Sequence, residues 1–191
     1  MKKIPTLFVR KFEGRKIVNV TPEITPGCEE AFALGDATVK IDGCCCAIFD
    51  GKFYKRYDAK NGKQPPKDAI PCCEPDPITG HWPHWVPCNP HDPADRWFFE
   101  ALRDYMDGID IIPDGTYEAI GPHMNANPYK LVIDTLVRHG KEVVMAERDF
   151  ASIKEWLETH NEEGLVFWYK GEPVCKIKRT DFGLPWPVKE I

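Results

Sequence analysis

The chain has 191 residues, with 25 lysines and arginines against 30 aspartates and glutamates and a net charge of −5. Its 42% hydrophobic and 29% charged content is that of an ordinary globular chain, long enough to bury the core of one domain. No apolar run approaches the roughly 18 residues of a membrane-spanning helix, and the acidic balance argues against a protein that coats nucleic acid while leaving room for a local phosphate site.

Met1-Lys2-Lys3-Ile4-Pro5 is basic, but no apolar stretch or small-residue cleavage site follows it. A cytoplasmic location is therefore expected. In that compartment the eight cysteines should be thiols.

Strand signals fill the first sixty residues. Leu7–Phe12 and Lys16–Val20 flank the break Glu13-Gly14-Arg15, and Thr21–Gly27 reads as a proline-punctuated loop. Ala37–Ile41 and Cys44–Asp50 are short strands, and Asp50-Gly51 is a turn before Lys52–Tyr57. Together they predict an antiparallel meander with Lys40 at one strand end. The consecutive Cys44, Cys45 and Cys46 suit packing on both faces of a strand. Residues 52–67 carry Lys52, Lys55, Arg56, Lys60, Lys63 and Lys67 against one acid, Asp58, so they form either a local basic patch or a solvated loop.

Prolines and glycines then accumulate over residues 61–93, predicting a long loop inserted in the domain. Cys72, Cys73, His81 and Cys88, with His84 and His91 nearby, are candidate ligands for a structural zinc, although their spacing matches no common zinc pattern. The alternative is a packed lid anchored by Trp82 and Trp85. Asp92-Pro93 leads into a predicted helix, Ala94–Met106, with Trp97, Phe98, Ala101, Leu102 and Tyr105 at helical spacing. Gly115–Ile120 and Glu142–Ala146 read as strands, as does Leu131–Leu136, which could also be a short helix. A second helix, Phe150–His160, presents Phe150, Ile153, Trp156 and Leu157 on one face. Gly164–Tyr169 and Pro173–Lys178 form a hairpin around Lys170-Gly171. His123, His139 and His160 read as surface or hydrogen-bonded core residues. The pattern is α+β rather than alternating βαβ, and no P-loop or dinucleotide fingerprint occurs.

The chemistry concentrates in four places. Thr38-Val39-Lys40-Ile41-Asp42-Gly43 puts a lysine two residues ahead of an Asp-Gly turn. A lysine amine attacks phosphorus only after losing its proton, which cationic neighbours and a dry pocket favour. In Gly115-Thr116-Tyr117-Glu118-Ala119-Ile120-Gly121, an acid beside an aromatic could hold a ribose hydroxyl or a metal-bound water while the ring covers a base. Glu162-Glu163-Gly164-Leu165-Val166 offers a carboxylate suited to Mg²⁺ at the mouth of an apolar strand. In Cys175-Lys176-Ile177-Lys178, period two sends both lysines to one face, where they could hold a phosphate.

This order of motifs resembles the covalent nucleotidyltransferase superfamily of ATP-dependent DNA and RNA ligases and mRNA-capping guanylyltransferases. Within it, Val39–Cys45, Asp76-Pro77-Ile78-Thr79-Gly80-His81-Trp82-Pro83 and Asp181-Phe182-Gly183-Leu184-Pro185-Trp186 are most similar to the vertebrate 5′-3′ RNA ligase family and its phage and bacterial relatives. The resemblance implies an antiparallel-sheet adenylyltransferase core, ligase-type and ATP-grasp-like, with flanking helices and a single nucleotidyltransferase domain over residues 1–191. It implies ATP and Mg²⁺ or Mn²⁺ as cofactors and RNA repair as the role. The substrate it implies is RNA with 5′-phosphate and 3′-hydroxyl ends, and it implies neither a membrane nor an obligate protein partner.

By position, the resemblance makes Lys40 the nucleophile that forms lysyl–AMP. Asp42, Gly43, Arg56, Tyr117 and Glu118 would surround the nucleotide, with Tyr117 as a candidate adenine-stacking ring and Trp168 or Phe167 as candidate core residues. Glu163, with Glu118, would place the metal, and Lys176 and Lys178 would meet the α-phosphate. The few residues after Lys178 leave no room for an OB-fold module, which favours an RNA ligase over a capping guanylyltransferase or DNA ligase core. A zinc-stabilised RNA-binding module without catalysis is the alternative from another class.

Overall fold

The computed structural model describes residues 3–14, 16–60, 62–77 and 79–188. Arg15 of the expected hairpin break, Asn61 at the head of the expected loop and Ile78 of the Asp76–Pro83 stretch lie outside them. In chain order the elements are β1 (Phe8–Glu13), β2 (Lys16–Ile24), α1 (Glu29–Leu34), β3 (Asp36–Lys40), β4 (Cys44–Phe49), β5 (Lys52–Ala59), β6 (Ile70–Pro71) and β7 (Trp82–Pro87). A 3₁₀ turn at Pro93–Asp95 opens α2 (Arg96–Tyr105). Then come β8 (Gly115–Ile120), β9 (Thr135–Arg138), α3 (Phe150–Thr159), β10 (Gly164–Tyr169) and β11 (Glu172–Lys178), closed by a 3₁₀ turn at Arg179–Phe182. The fold is α+β with mostly antiparallel sheets and few helices. None of the described helices is long and apolar enough to cross a membrane.

The described residues group into two compact units, one holding Ile4–Ile41 with the part from Gly140 onward, the other Lys3 with Asp42–His139. The chain passes from one to the other within the Lys40–Gly43 motif, between Ile41 and Asp42.

The first unit contains the β1-β2 hairpin and a three-stranded sheet ordered β11-β10-β3. Alternation sends Ala37, Leu165, Phe167, Cys175 and Ile177 into one core with Leu7, Phe8, Phe32, Ile153 and Leu157. Each buried Leu, Ile or Phe among them is worth roughly 1.5–3 kcal/mol of transfer free energy. Helix α3 opens on Asp149, whose carboxylate accepts the Ala151 and Ser152 N–H groups at 3.0 Å. Its C-terminal carbonyls are capped from a distance: buried Arg179 donates Nη1 to Leu157 O and, at 2.8 Å, to His160 O.

The second unit is built on a six-stranded antiparallel sheet ordered β6-β7-β5-β4-β8-β9. Helix α2 lays Phe98, Ala101, Leu102 and Tyr105 on the face carrying Cys46, Ile48, Phe53, Tyr117, Ala119 and Leu136. Asp50 and Gly51, with φ of 49° and 68°, close the β4-β5 hairpin as a tight turn of paired positive-φ residues, as the Asp-Gly signal predicts. Cys46 is fully buried on the α2 side and Cys45 packs on the opposite one, so the triplet does line both faces.

The structure corrects several expectations. Strand β3 does not continue a meander into β4; it pairs with β10 in a different sheet. Strand β2 runs on to Ile24, and the extra residues around Pro22 are absorbed by a register shift between Phe8 and Arg10. The predicted loop 61–93 contains β7, which pairs with β5 along its whole length. Thr135–Arg138, not Leu131–Leu136, is the strand after β8, and Glu142–Ala146 forms only an isolated bridge, Val143 to Thr38. Helix α1 has no counterpart among the expectations because six residues give too short a periodic signal.

Candidate functional site

In the three-stranded sheet, Gly164 stands opposite Lys40 on one side and Lys178 on the other, and Val166 stands opposite Thr38 and Lys176. Lys40, Lys176 and Lys178 therefore share the face turned away from the apolar core. Gly164 is required there. An alanine Cβ at this position would lie 2.1 Å from the Ile177 carbonyl oxygen and 2.9 Å from the Lys178 Cα. The Glu-Gly pair ahead of β10 thus serves two ends: glycine for close strand approach, glutamate for charge.

Glu163 is only 6% exposed. One of its carboxylate oxygens is ion-paired with Lys40 Nζ, and the other lies 3.7 Å from Lys178 Nζ. Burial pushes the Lys176 ammonium down to about 8, helped by the charges of Lys40 and Lys178 and opposed by Glu163. Three ammonium groups against one carboxylate leave this covered face with a surplus of positive charge, which suits a phosphate. Beyond Lys178, the Asp181 carboxylate accepts the Lys178 N–H at 3.0 Å and both Arg10 donors at 2.9 and 3.1 Å, fixing where β11 ends. Arg10 and Asp181 carry no sequence signal of this role. The donor chemistry at Glu163 fits Mg²⁺, which commonly binds through one or two protein carboxylates together with substrate phosphates.

The six-stranded sheet carries the other residues singled out from the sequence. The Asp42 N–H donates to the Tyr129 hydroxyl at 2.7 Å, and Asn125 Nδ2 donates to Asp42 Oδ1 at 2.6 Å. Gly43 N–H reaches Glu118 Oε1 at 3.2 Å, and a Cβ on Gly43 would meet the Ala119 carbonyl oxygen at 2.2 Å. The glycine of the lysine motif is therefore a close-approach position against β8. His139 Nε2 lies 2.8 Å from Glu118 Oε2, and its Nδ1 lies 3.0 Å from Thr116 Oγ1. Glu118 is thus held from both oxygens. Arg56 Nε donates to Asp58 Oδ1 at 2.9 Å, and its guanidinium lies beside Cys45. Burial, reinforced by the Glu118 charge and opposed by Arg56, pushes the Cys45 thiol up to about 12.

Tyr117 is not available as a stacking ring. It is fully buried against Tyr105, with ring centroids 5.4 Å apart, and its hydroxyl donates to Pro113 O. The reason is the strand period: with Glu118 on one face, Tyr117 must be on the other. Phe167 is fully buried in its own core, and Trp168 is half-buried, donating Nε1–H to Thr38 Oγ1 at 2.9 Å. The basic patch also divides. Lys55 is ion-paired with buried Asp95 at the start of α2, whereas Lys60, Lys63 and Lys67 are exposed.

Cys72, Cys73, His81 and Cys88 form no metal-sized cluster among the described residues; the group that does is Cys45, Glu118 and His139. His139, Asn125 and Tyr129 are additions that the sequence did not single out. Asn125 and Tyr129 lie in the loop after β8, where Asn125, Ala126, Asn127 and Lys130 take positive φ, and His139 follows β9. A cavity of about 710 Å³ on the same unit, lined by Phe99, Arg103, Met106, Val132, Ile133 and Asp134 among others, contains none of the nucleotide- or metal-site candidates expected from the sequence.

A family model described as RNA ligase 1 matches residues 106–191, a span that includes Glu118, Glu163, Lys176 and Lys178. Over that span the chain is similar to the RNA ligase 1 family. The RNA ligase 1 of Danio rerio is 25% identical over 228 aligned positions, covering 81% of this chain and 69% of that protein. The RNA ligase 1 of Rattus norvegicus is 26% identical over 229 positions with the same coverage, and that of Pongo abelii is 25% identical over 226. At this distance the RNA ligase 1 family supplies a class, and the residues must supply the chemistry.

Proposed function

We propose that this chain is an ATP-dependent RNA ligase that joins a 5′-phosphate to a 3′-hydroxyl through a lysyl–AMP intermediate on Lys40. The observation that carries the proposal is the face of the three-stranded sheet on which Lys40, Lys176 and Lys178 converge on buried Glu163.

In the first step Lys40 leaves its ion pair with Glu163, gives its proton to solvent and attacks the α-phosphorus of ATP. The N–P bond forms as the P–O bond to pyrophosphate breaks. Lys176 and Lys178 offset the charge that develops on the α-phosphate oxygens. Glu163 is the residue that would hold Mg²⁺ or Mn²⁺, and such an ion supplies further charge neutralisation. AMP then passes to the RNA 5′-phosphate, and a 3′-hydroxyl displaces it as the phosphodiester forms. On the other unit, Asp42 and Arg56 are proposed nucleotide ligands and Glu118 a ribose or metal ligand; the fixed orientation of its carboxylate between Gly43 and His139 supports that role. The proposal includes a ligase-type, ATP-grasp-like adenylyltransferase core, a nucleotidyltransferase domain over residues 1–191 and action in the cytoplasm.

Incubation with α-labelled ATP and Mg²⁺ should label the protein through an acid-labile phosphoramidate, and Lys40→Ala should abolish the label. Undiminished labelling of that variant would remove Lys40 as the nucleophile. A preference for GTP, or sealing of nicked DNA rather than RNA ends, would move the assignment to a capping guanylyltransferase or a DNA ligase core.

A further inference from the structure

The sheet face bearing Glu118 holds a set of side chains that nucleotide transfer does not use together. Cys45 Sγ, a Glu118 carboxylate oxygen and a His139 ring nitrogen lie within 4.8 Å of one another. They come from adjoining parts of one sheet: Cys45 stands directly opposite Glu118 between β4 and β8, and His139 follows the last residue of β9. The His139 and Glu118 side chains are 14% and 12% exposed. The set is therefore largely covered, with Cys45 and Glu118 on strands and His139 in the turn that directly follows one.

The atoms beyond these three are also in place. His139 Nδ1 has Thr116 Oγ1 at 3.0 Å, and Glu118 Oε1 accepts the Gly43 N–H at 3.2 Å. A metal-bound imidazole ordinarily donates its second ring N–H to an oxygen, and a metal-bound carboxylate ordinarily accepts a further hydrogen bond; both partners are present here. Arg56 lies beside Cys45 and is paired with Asp58. Its charge does not oppose a cation at this point, because a thiolate and a carboxylate together cancel a divalent charge and leave the guanidinium facing a neutral centre.

We propose that Cys45, Glu118 and His139 bind a borderline divalent transition cation, Zn²⁺ by preference, with three protein ligands and a fourth position open. Sulfur, imidazole and carboxylate in one set select Zn²⁺ over Mg²⁺, which takes oxygen ligands. On binding, the Cys45 S–H proton leaves to solvent as the S–metal bond forms. The 2.8 Å contact between His139 and Glu118 gives way to one metal bond from each, with the His139 proton on Nδ1 facing Thr116.

The test uses the full chain stripped with chelator and titrated with Co²⁺ as a visible probe. A thiolate-to-cobalt charge-transfer band and strong visible bands of a tetrahedral centre should rise together, saturate at one equivalent and vanish on addition of Zn²⁺. Cys45→Ser should lose the charge-transfer band, and His139→Asn should weaken Co²⁺ binding about 10-fold or more, with the fold of each checked by circular dichroism. A Cys72→Ser, Cys73→Ser double variant should keep both bands. The proposal is overturned if the wild-type chain gives no charge-transfer band, or if the band survives Cys45→Ser. Should Cys45→Ser fail to fold, unchanged Co²⁺ affinity in His139→Asn overturns it as well. None of these readouts depends on protein–AMP formation.

Discussion

The two sheets solve opposite electrostatic problems with the same backbone device. On the three-stranded sheet, Gly164 lets β10 and β11 close tightly, and the face above it gathers three lysines around one buried carboxylate. On the six-stranded sheet, Gly43 lets the chain approach β8, and the face beside it gathers a carboxylate, an imidazole and a thiol, with an arginine next to the thiol. One face is cationic and suits phosphate. The other is rich in oxygen, nitrogen and sulfur donors and suits hydroxyls or a cation. The lysine motif contributes to both, with Lys40 on the first and Asp42-Gly43 on the second.

Chemistry on the lysine face is the sharpest way to separate the two. Lys40→Arg should abolish protein–AMP formation, because a guanidinium does not lose its proton at working pH, while the melting temperature stays within a few degrees. Gly164→Ala should come next: the clash with Ile177 O forces the β10-β11 pair apart, at a cost of about 1–3 kcal/mol read from denaturant unfolding, together with a large loss of adduct. Gly164→Ser should behave the same way; tolerance of either would show that the strands can shift without disturbing Lys178.

Lys55→Met probes the other unit. It strands the Asp95 carboxylate, which is 1% exposed, and should destabilise by about 3 kcal/mol. By contrast, a Lys60, Lys63, Lys67→Gln triple variant should leave stability unchanged, since all three side chains are exposed. Equal effects of the two would restore a continuous basic patch.

Lys176→Met tests whether the charge gathered on the lysine face is costly. The folded ammonium sits at about 8, below its usual value near 10.5, so the unfolded chain binds more protons between those limits. Wild-type stability should therefore rise as pH increases from about 8 to about 10. Lys176→Met should remove that rise and be more stable than wild type at neutral pH, while its adduct formation falls. A flat wild-type profile would mean that the ammonium is not desolvated. The smallest effect is expected for Tyr117→Phe, which loses one hydrogen bond to Pro113 O worth about 1 kcal/mol and leaves ATP binding unchanged.

Much of this was legible in the residues themselves. Both long helices start and stop close to their predicted limits, because apolar spacing and the Asp149 cap act locally. The Asp50-Gly51 and Lys170-Gly171 turns follow from positive φ at both positions of each pair. Period two placed Lys176 and Lys178 on one face, and the same rule applied to Tyr117 and Glu118 would have shown that they cannot face one nucleotide together. The pairing of β3 with β10 was not legible, since nothing local in Ala37–Lys40 names a partner so far along the chain. Nor was the role of His139, a lone histidine at the end of a short strand whose neighbours across the sheet are set only by register.

The sequence alone determined both long helices, most strands, the motif order and the likeness to RNA ligases, because propensity, period and spacing are properties of neighbouring residues. The tertiary structure decided which charges meet. It paired Lys40 with Glu163, turned Lys55 inward to Asp95, buried Tyr117 and set His139 against Glu118. Burial and strand register are relations between distant segments, and ionic partners follow from them.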